Sequence, residues 1–167
     1  MSRLRSLAVL FTLAVFTLAL LCAPAHAQDG KIAIEKFNHS EWTKGIFSEV
    51  VTVTGIGNAK LIYLAGVGAE DEYGARGTIR HPGNFIEQCK YAYDKIKRLL
   101  EKHGATLADV AKMVSYLTDV RYQPDYGKCR VEAFGNNPLP AHTLLTISQL
   151  AWPGMIVEVD VTAVVSK

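Results

Sequence analysis

The last strand-like segment, "MIVEVDVTAVV" from Met155 to Val165, constrains the fold of this chain more than any other feature. Its residues alternate in character, so that one face of the strand carries Val157, Val159, Val161, Ala163 and Val165, and the other carries Glu158, Asp160 and Thr162. The valine face predicts a sheet whose one side is covered by helices. The two carboxylates on the other face suit acid and base roles in catalysis, but they suit a hydrated sheet face equally well.

The rest of the chain supplies the elements that such a sheet needs. Strand patterns, helical spacing of apolar residues and turn residues predict, in order, strands at Ser48–Gly55 and Ala59–Gly66, a helix from Phe85 to His103, a strand at Asp109–Thr118, a helix in "QPDYGKCRVEAFG", and strands at His142–Leu150 and Met155–Val165. The "GIGN" segment joins the first two strands as a hairpin turn. Pro124 falls in the first turn of the second helix, and Gly135 follows its end.

The amino-terminal residues predict a secretory signal peptide. Two arginines precede an uncharged apolar stretch, and Ala25-His26-Ala27 supplies a small-x-small cleavage pattern. We predict cleavage before Gln28, export to the periplasm or beyond, and no stable membrane anchor afterwards. An uncleaved anchor is the alternative, because the apolar stretch is close to the lower length limit for a membrane span. The predicted organisation is a signal peptide over 1–27, a short amino-terminal segment over 28–44 and one domain over 45–167.

Charge and cysteine content argue against two classes of function. Removing residues 1–27 takes two of the 18 basic residues and none of the 16 acidic ones, which leaves a mature chain of 140 residues with no formal net charge. Nucleic-acid binding requires basic side chains that neutralise phosphates, so we predict no nucleic-acid partner. Cys89 and Cys129 remain, without a Cys-x-x-Cys pattern or a Cys/His cluster, which argues against a zinc site. Two buried thiols and one disulfide both fit the sequence.

Three segments resemble the Rid family, also called YjgF-like proteins. They are "GATLADVAKMVSYLTDV", "FGNNPLPAH" and "IVEVDVTAVV". These segments are similar to the family's Gly-Ala-Ser/Thr-Leu-x-Asp-Val segment, its Phe-Gly followed by Pro-Ala-Arg, and its closing strand that contains a Glu. The resemblance runs from about Gly45 to Val165. It implies an α+β fold similar to chorismate mutase, with a single mixed β-sheet and two helices on one face, assembled into a homotrimer whose ligand clefts open between neighbouring subunits.

The resemblance also implies a reaction, which is the hydrolysis of reactive 2-imino or enamino acids to 2-keto acids and ammonia without a cofactor or metal. In the family an Arg of the Pro-Ala-Arg motif binds the substrate carboxylate, and a Glu of the last strand helps to activate water. The Glu falls on Glu158, but His142 stands at the Arg position. Both are therefore candidate catalytic residues. Since an imidazole is mostly neutral at neutral pH, carboxylate binding by His142 should strengthen as the pH falls. A structural role for His142, in the preceding turn or against a neighbouring subunit, is the alternative.

Other positions of the implied cleft carry fewer polar groups than the family pattern. Phe47 replaces an aromatic hydroxyl, Ala65 replaces a frequent serine, and Leu144 replaces a frequent cysteine. The resemblance implies substrate contacts from Phe47, Ser48, Ala65, Gly66, His142, Thr143 and Leu144. Arg76 and Arg80, in the loop after the second strand, could restore a positive charge, or they could simply belong to a solvated loop.

Three function classes fit these observations. The first is an exported hydrolase of imines, enamines or related small carbonyl compounds, which would use Glu158 and His142. The second is a non-enzymatic homotrimer that binds a small carboxylate or carbonyl compound in the same cleft. The third is a protein-interaction or holdase role, which the resemblance implies because chaperone-like behaviour is attributed to some family members. The presence of Glu158 favours the hydrolase.

Overall fold

The structure is a computed structural model, which describes residues 33–44 and 49–166. The predicted signal peptide, Phe47 and Ser48 lie outside the described residues. The strands are β1 (Ala33–Phe37), β2 (Val50–Ile56), β3 (Ala59–Leu64), β4 (Val67–Gly68), β5 (Val110–Leu117), β6 (Ala141–Thr146) and β7 (Val157–Ser166). The helices are α1 (Phe85–Lys102) and α2 (Gln123–Phe134), and short 3-10 turns lie at Glu41–Thr43, Leu107–Asp109 and Val120–Tyr122.

The strands of the described residues form one mixed sheet. Its order is β1-β2-β3-β7-β5-β6, and β4 pairs with β7 beside this path. Neighbouring strands are antiparallel except β5 and β6, which are parallel because α2 lies between them in the chain and returns it to the same end of the sheet. These features confirm the predicted α+β class, with a single mixed sheet and two helices.

The valine face of β7 lies at the centre of the hydrophobic core. Val157, Val159 and Ala163 have no solvent exposure, and Val161 is 3% exposed. The two helices cover this face with apolar side chains that belong to the same core cluster, including Phe85, Cys89, Ile96 and Leu100 of α1 and Tyr126, Cys129 and Phe134 of α2. Complete burial of one valine side chain contributes about 1.5–3 kcal/mol. The opposite face of β7, with Glu158 and Asp160, remains only partly buried in the single chain.

Both helices begin and end where their local signals predict. The Asn84 side chain accepts a hydrogen bond from the Glu87 backbone N–H at 3.2 Å and so caps the first turn of α1. Gly104 follows α1 with φ +73°, a left-handed conformation that glycine adopts without steric cost. Pro124 lies in the first turn of α2, and Gly135, with φ +56°, follows its last residue.

A disulfide joins Cys89 of α1 to Cys129 of α2. The sequence had left both a disulfide and two free thiols open. The bond closes a loop with a sequence separation of 40 residues between two helices that already pack against each other. It therefore restricts the unfolded chain more than it restricts the native core.

Gln88 fixes the turn before β7 to α1. Its side chain is fully buried and donates hydrogen bonds to the backbone carbonyls of His81 at 3.2 Å and Gly154 at 2.7 Å. Its carbonyl oxygen accepts the backbone N–H of Ile156 at 3.1 Å. These three bonds position the segment that contains Trp152 relative to the core.

Strand β1 was not predicted from the sequence. It pairs antiparallel with β2 from Ala33 opposite Thr54 to Phe37 opposite Val50, inside the region expected only as a short amino-terminal segment. Its sequence, "AIEKF", is too short and too polar to show a clear alternation of apolar and polar residues. Pairing with β2 stabilises the strand conformation that the sequence alone does not favour. Among the described residues, no helix combines the length and apolar character required to cross a membrane.

Candidate functional site

The Glu158 carboxyl group lies against the backbone of Gly66. Strand β4 pairs with β7 so that Gly68 lies opposite Glu158, and the chain reaches β4 through Gly66. A Cβ atom on Gly66 would lie 2.3 Å from Glu158 Oε1 and 2.6 Å from its Cδ, far inside van der Waals contact. Only glycine at position 66 therefore leaves room for the carboxyl group in this orientation.

This carboxyl group opens into a cleft of about 280 Å³. The lining side chains and backbone come from the first residues of the described chain, the β3–β4 connection, the following loop and the turn before β7. They are Trp42, Ala65, Gly66, Glu70, Arg76, Ala151, Trp152 and Glu158. The cleft therefore combines two carboxylates, one guanidinium and two indoles. Another cavity, of about 250 Å³, lies between the helices, and exposed charged side chains form much of its wall.

Glu70 supplies the second carboxylate of the cleft and has its own cation. It is 7% exposed, and its Oε2 accepts the Gly68 N–H at 3.1 Å and the Lys95 ammonium at 3.2 Å. Lys95, which is 5% exposed, also donates to the backbone carbonyl of Glu70 at 2.8 Å. Buried charges require such pairing, and of the two carboxyl groups that line the cleft, Glu158 is the one with no ion pair among the described residues.

The environment of Glu158 disfavours its charged form. Burial, followed by the nearby carboxylates Glu70 and Asp160, raises the pKa of Glu158 from 4.5 to about 7, and Lys95 acts in the opposite direction. Near neutral pH the carboxyl group therefore populates both protonation states. A group with this property can accept a proton in one step and return it in the next.

Two tryptophans form the apolar walls of the cleft. The chain contains two tryptophans, Trp42 and Trp152, and their rings meet edge to face with centroids 6.2 Å apart. The guanidinium of Arg76 lies over the Trp152 ring, 5.2 Å from its centroid. The apolar walls favour a ligand with a hydrocarbon or planar part beside its polar group.

His142 lies in a different polar network, between β6 and α2. Its Nδ1 faces Nη1 of Arg130 at 2.5 Å, and its Nε2 faces the hydroxyl of Ser115 at 3.0 Å. Because a guanidinium only donates, Nδ1 must accept, and a neutral imidazole then carries its hydrogen on Nε2. Nε2 consequently donates to Ser115 and has no lone pair with which to deprotonate it. The Ser115–His142 contact is therefore not a nucleophile–base pair.

The surroundings of His142 also keep it neutral. Burial lowers the pKa of the imidazole, and the positive charges of Arg130 and Lys112 lower it further. The ring stacks on Tyr126, with centroids 5.7 Å apart. Tyr126 in turn shares a hydrogen bond with Tyr93 at 2.8 Å and with the fully buried Ser115. These contacts are those of a buried hydrogen-bonded network.

The register of the sheet separates His142 from Glu158 within one chain. His142 lies opposite Met113 of β5, and Met113 lies opposite Val161 of β7. Residues directly opposite each other in neighbouring strands point to the same face, so His142 shares the helix-covered face of Val161. Glu158 lies on the other face, and β5 separates the two strands.

Comparison with known proteins identifies the family. The family model described as Endoribonuclease L-PSP, the family that also includes the YjgF and Rid proteins, matches residues 43–165. The chain belongs to the Rid family. A RutC family protein of Pyrococcus abyssi is 35% identical over 68 residues, which are 41% of this chain and 53% of that protein. The chain thus matches about half the length of that curated relative.

Solved structures agree with the fold of this Rid-family chain. A Mycobacterium tuberculosis member of the YjgF/YER057c/UK114 family is 26% identical, with a TM-score of 0.63 over 80% of this chain and 100% of that one. RidA from an Antarctic Psychrobacter is 22% identical, with a TM-score of 0.62 over 83% of this chain and 99% of that one. The second similarity concerns the fold alone.

The fold brings together part of the site that the family resemblance implied. Ala65, Gly66 and Glu158 line one cleft, as expected of a shared site. Thr143 lies with His142 on β6, where its hydroxyl accepts a hydrogen bond from Lys112 at 2.7 Å, and Leu144 packs against the core. These β6 residues do not reach the Glu158 cleft within one chain. Their role in substrate binding stays a prediction.

Sequence reasoning missed four lining residues of this Rid-family cleft, namely Trp42, Glu70, Ala151 and Trp152. Glu70 was treated as part of a charged loop, and neither Trp42 nor Trp152 was considered. The available signal was composition, since the chain has two tryptophans and both line the cleft. Their separation by 110 positions concealed that they meet.

Proposed function

We propose that this chain is an exported, cofactor-independent hydrolase of imines, enamines or related small carbonyl compounds, and that Glu158 is its catalytic residue. The observation that carries the proposal is a partly buried carboxyl group, with a pKa near 7, that opens into a cleft able to hold a small molecule. Membership of the Rid family supports the same reaction class.

The chemistry needs one group that moves a proton twice. The Glu158 carboxylate takes a proton from water as the water oxygen forms a bond to the imine carbon and the imine nitrogen is protonated from solvent. Glu158 then returns its proton to the amino group of the resulting carbinolamine. The carbon–nitrogen bond breaks, ammonia leaves, and the carbonyl forms as the hydroxyl proton is lost to solvent. Imine and water are thus converted to carbonyl compound and ammonia, and Glu158 is regenerated.

The proposal includes a homotrimer, because the described residues cover the polar face of the sheet only in part. Glu158, Asp160 and Thr162 are all partly buried there, and Tyr116 donates a hydrogen bond to Asp160 at 3.0 Å on the same face. Assembly through this face would enclose the cleft. Light scattering on the cleaved protein should report three subunits, and a stable monomer at micromolar concentration would contradict an intersubunit site.

Export is supported by the Cys89–Cys129 disulfide, since disulfides persist in oxidising compartments. The sequence-based signal peptide points to the same destination. Intact-mass analysis of protein from the extracytoplasmic fraction should find Gln28 at the amino terminus. A mature chain that still carries Met1 would contradict cleavage.

The reaction is tested with imines generated in solution from amino acids by an amino-acid oxidase. The release of 2-keto acid in the presence of a competing trap should accelerate with wild-type protein, and Glu158→Gln should reduce that acceleration at least 100-fold. Glu132→Gln, which removes an exposed carboxylate on α2, is the matched control and should behave as wild type. Equal activity in wild type and Glu158→Gln would contradict the proposed role of Glu158.

A non-enzymatic binding module is the second candidate. One observation favours it, namely that position 142 carries a neutral, internally bonded histidine where the family pattern has an arginine that binds carboxylate. Saturable binding of a 2-keto acid without any acceleration of imine hydrolysis would support this candidate over the hydrolase.

A further inference from the structure

The two arginines of the loop after β4 have different partners. Arg80 donates to the Asp71 carboxylate at 3.2 Å and lies over the Tyr91 ring, 5.4 Å from its centroid. Arg76 lines the Glu158 cleft, and within residues 33–44 and 49–166 it forms no ion pair. The guanidinium of Arg76 lies over the face of the Trp152 ring. This contact orients the guanidinium and leaves its N–H groups available to donate hydrogen bonds to a ligand.

The backbone next to Arg76 is shaped to fit Trp152. Gly77 has φ +85°, and a Cβ atom there would lie 3.0 Å from Cε3 of the indole ring. A larger residue would therefore push the loop away from Trp152. Since Gln88 fixes the turn that follows Trp152, the indole is a stable support for the guanidinium.

Two other cations of the described residues are already engaged. Lys95 is paired with Glu70, and Arg130 contacts His142 on the helix-covered face. Since Lys95 neutralises Glu70, the Glu158 carboxylate is the group in the cleft that would repel an anion placed beside it. An anionic substrate would consequently place its charged group at the Arg76 side of the cleft.

We propose that Arg76, held on Trp152, binds the carboxylate of the substrate. The ligand class is a small 2-imino or 2-keto acid with an apolar side chain, whose hydrocarbon part lies between the indoles while its reacting carbon faces Glu158. This inference rests on the proposed function for the orientation of the reacting carbon. The charge preference of the cleft can be measured without turnover.

The test uses the two cleft tryptophans as the probe. Quenching of their fluorescence gives the Kd of 4-methyl-2-oxopentanoate and of its uncharged analogue 4-methyl-2-pentanone. Wild type should bind the keto acid about 10- to 100-fold more tightly than the ketone, as expected for a charge-assisted guanidinium contact. Arg76→Met should remove this preference by weakening only the keto acid, and Arg76→Lys should retain part of it. Arg80→Met, from the same loop, is the matched control and should keep the preference.

Three results would overturn the inference. The first is the absence of keto acid binding to wild type up to about 10 mM. The second is an unchanged preference for the keto acid over the ketone in Arg76→Met. The third is an equal loss of this preference in Arg76→Met and Arg80→Met, which would indicate a general effect of positive surface charge. Failure of the proposed hydrolase function gives a different result from failure of the carboxylate site. A chain that accelerates no imine hydrolysis, but whose preference for the keto acid depends on Arg76, would refute the hydrolase and retain the carboxylate site.

Discussion

Replacing Glu158 by Gln should inactivate the protein and, at high pH, stabilise it. The folded state shifts the pKa of Glu158 from 4.5 to about 7, because the carboxyl group is desolvated and faces Glu70 and Asp160, with only Lys95 acting in the opposite direction. Between these two values the unfolded chain has lost a proton that the native chain still binds. Native stability therefore falls as the pH rises from 4.5 through 7, and the whole cost is present above pH 8.

The magnitude follows from the size of the shift. Displacement of the pKa from 4.5 to about 7 corresponds to about 3 kcal/mol, and partial exposure of the side chain to solvent reduces the expected cost to about 1–2 kcal/mol. Glutamine has the shape of the protonated glutamate and carries no charge. Glu158→Gln should accordingly raise the free energy of unfolding by about 1–2 kcal/mol at pH 8.5 and leave it nearly unchanged at pH 4.

Urea denaturation of wild type and Glu158→Gln at both pH values measures this difference. The subunit concentration must be the same throughout, because assembly contributes to apparent stability. Glu132→Gln, with its exposed carboxylate, should show no pH-dependent difference from wild type. A Glu158→Gln variant that is less stable than wild type at pH 8.5, or equally stabilised at both pH values, would refute the conclusion that the native fold disfavours the charged form.

Three further predictions follow from individual contacts. Gly66→Ala should displace the Glu158 carboxyl group and reduce imine hydrolysis at least 100-fold. The control is Gly127→Ala on α2, where an added Cβ meets no atom within 4 Å, so activity should stay intact and stability should increase by about 0.5–1 kcal/mol. Equal activities of the two variants would refute the steric argument. Replacement of both Cys89 and Cys129 by Ala should lower the free energy of unfolding, measured by urea denaturation, by about 3–4 kcal/mol, as expected for a closed loop of this length. An unchanged urea midpoint after reduction of the wild-type disulfide would contradict this prediction. His142→Gln should bind the keto acid within about 3-fold of the wild-type affinity both at pH 5.5 and at pH 8, since burial and Arg130 lower the pKa of the imidazole. An increase in wild-type affinity at low pH that His142→Gln loses would restore the carboxylate role of His142.

Local periodicity determined the elements and the faces of this protein. The alternation of β7 identified its buried and polar faces, because side chains of a strand point to opposite sides with period 2 whatever the strand pairs with. Pro124 and Gly135 marked the ends of α2, because proline fits the first turn of a helix and glycine readily adopts the left-handed conformation that follows the last turn. The family resemblance added Gly66 and Glu158, which the structure places in contact.

Tertiary structure alone decided what surrounds these residues. Strand β6 carries a leucine on each face, Leu144 and Leu145, so its sequence does not choose the face of His142; the parallel register with β5 turns the imidazole toward α2. Trp42 and Trp152 meet only because the turn before β7 is fixed to α1 and packs beside the first 3-10 turn. Periodicity acts between residues a few positions apart, whereas a site depends on which distant segments the shared core holds together. The pKa of Glu158 and the support of Arg76 arise from those long-range contacts, so they are properties of the folded chain and not of the sequence around either residue.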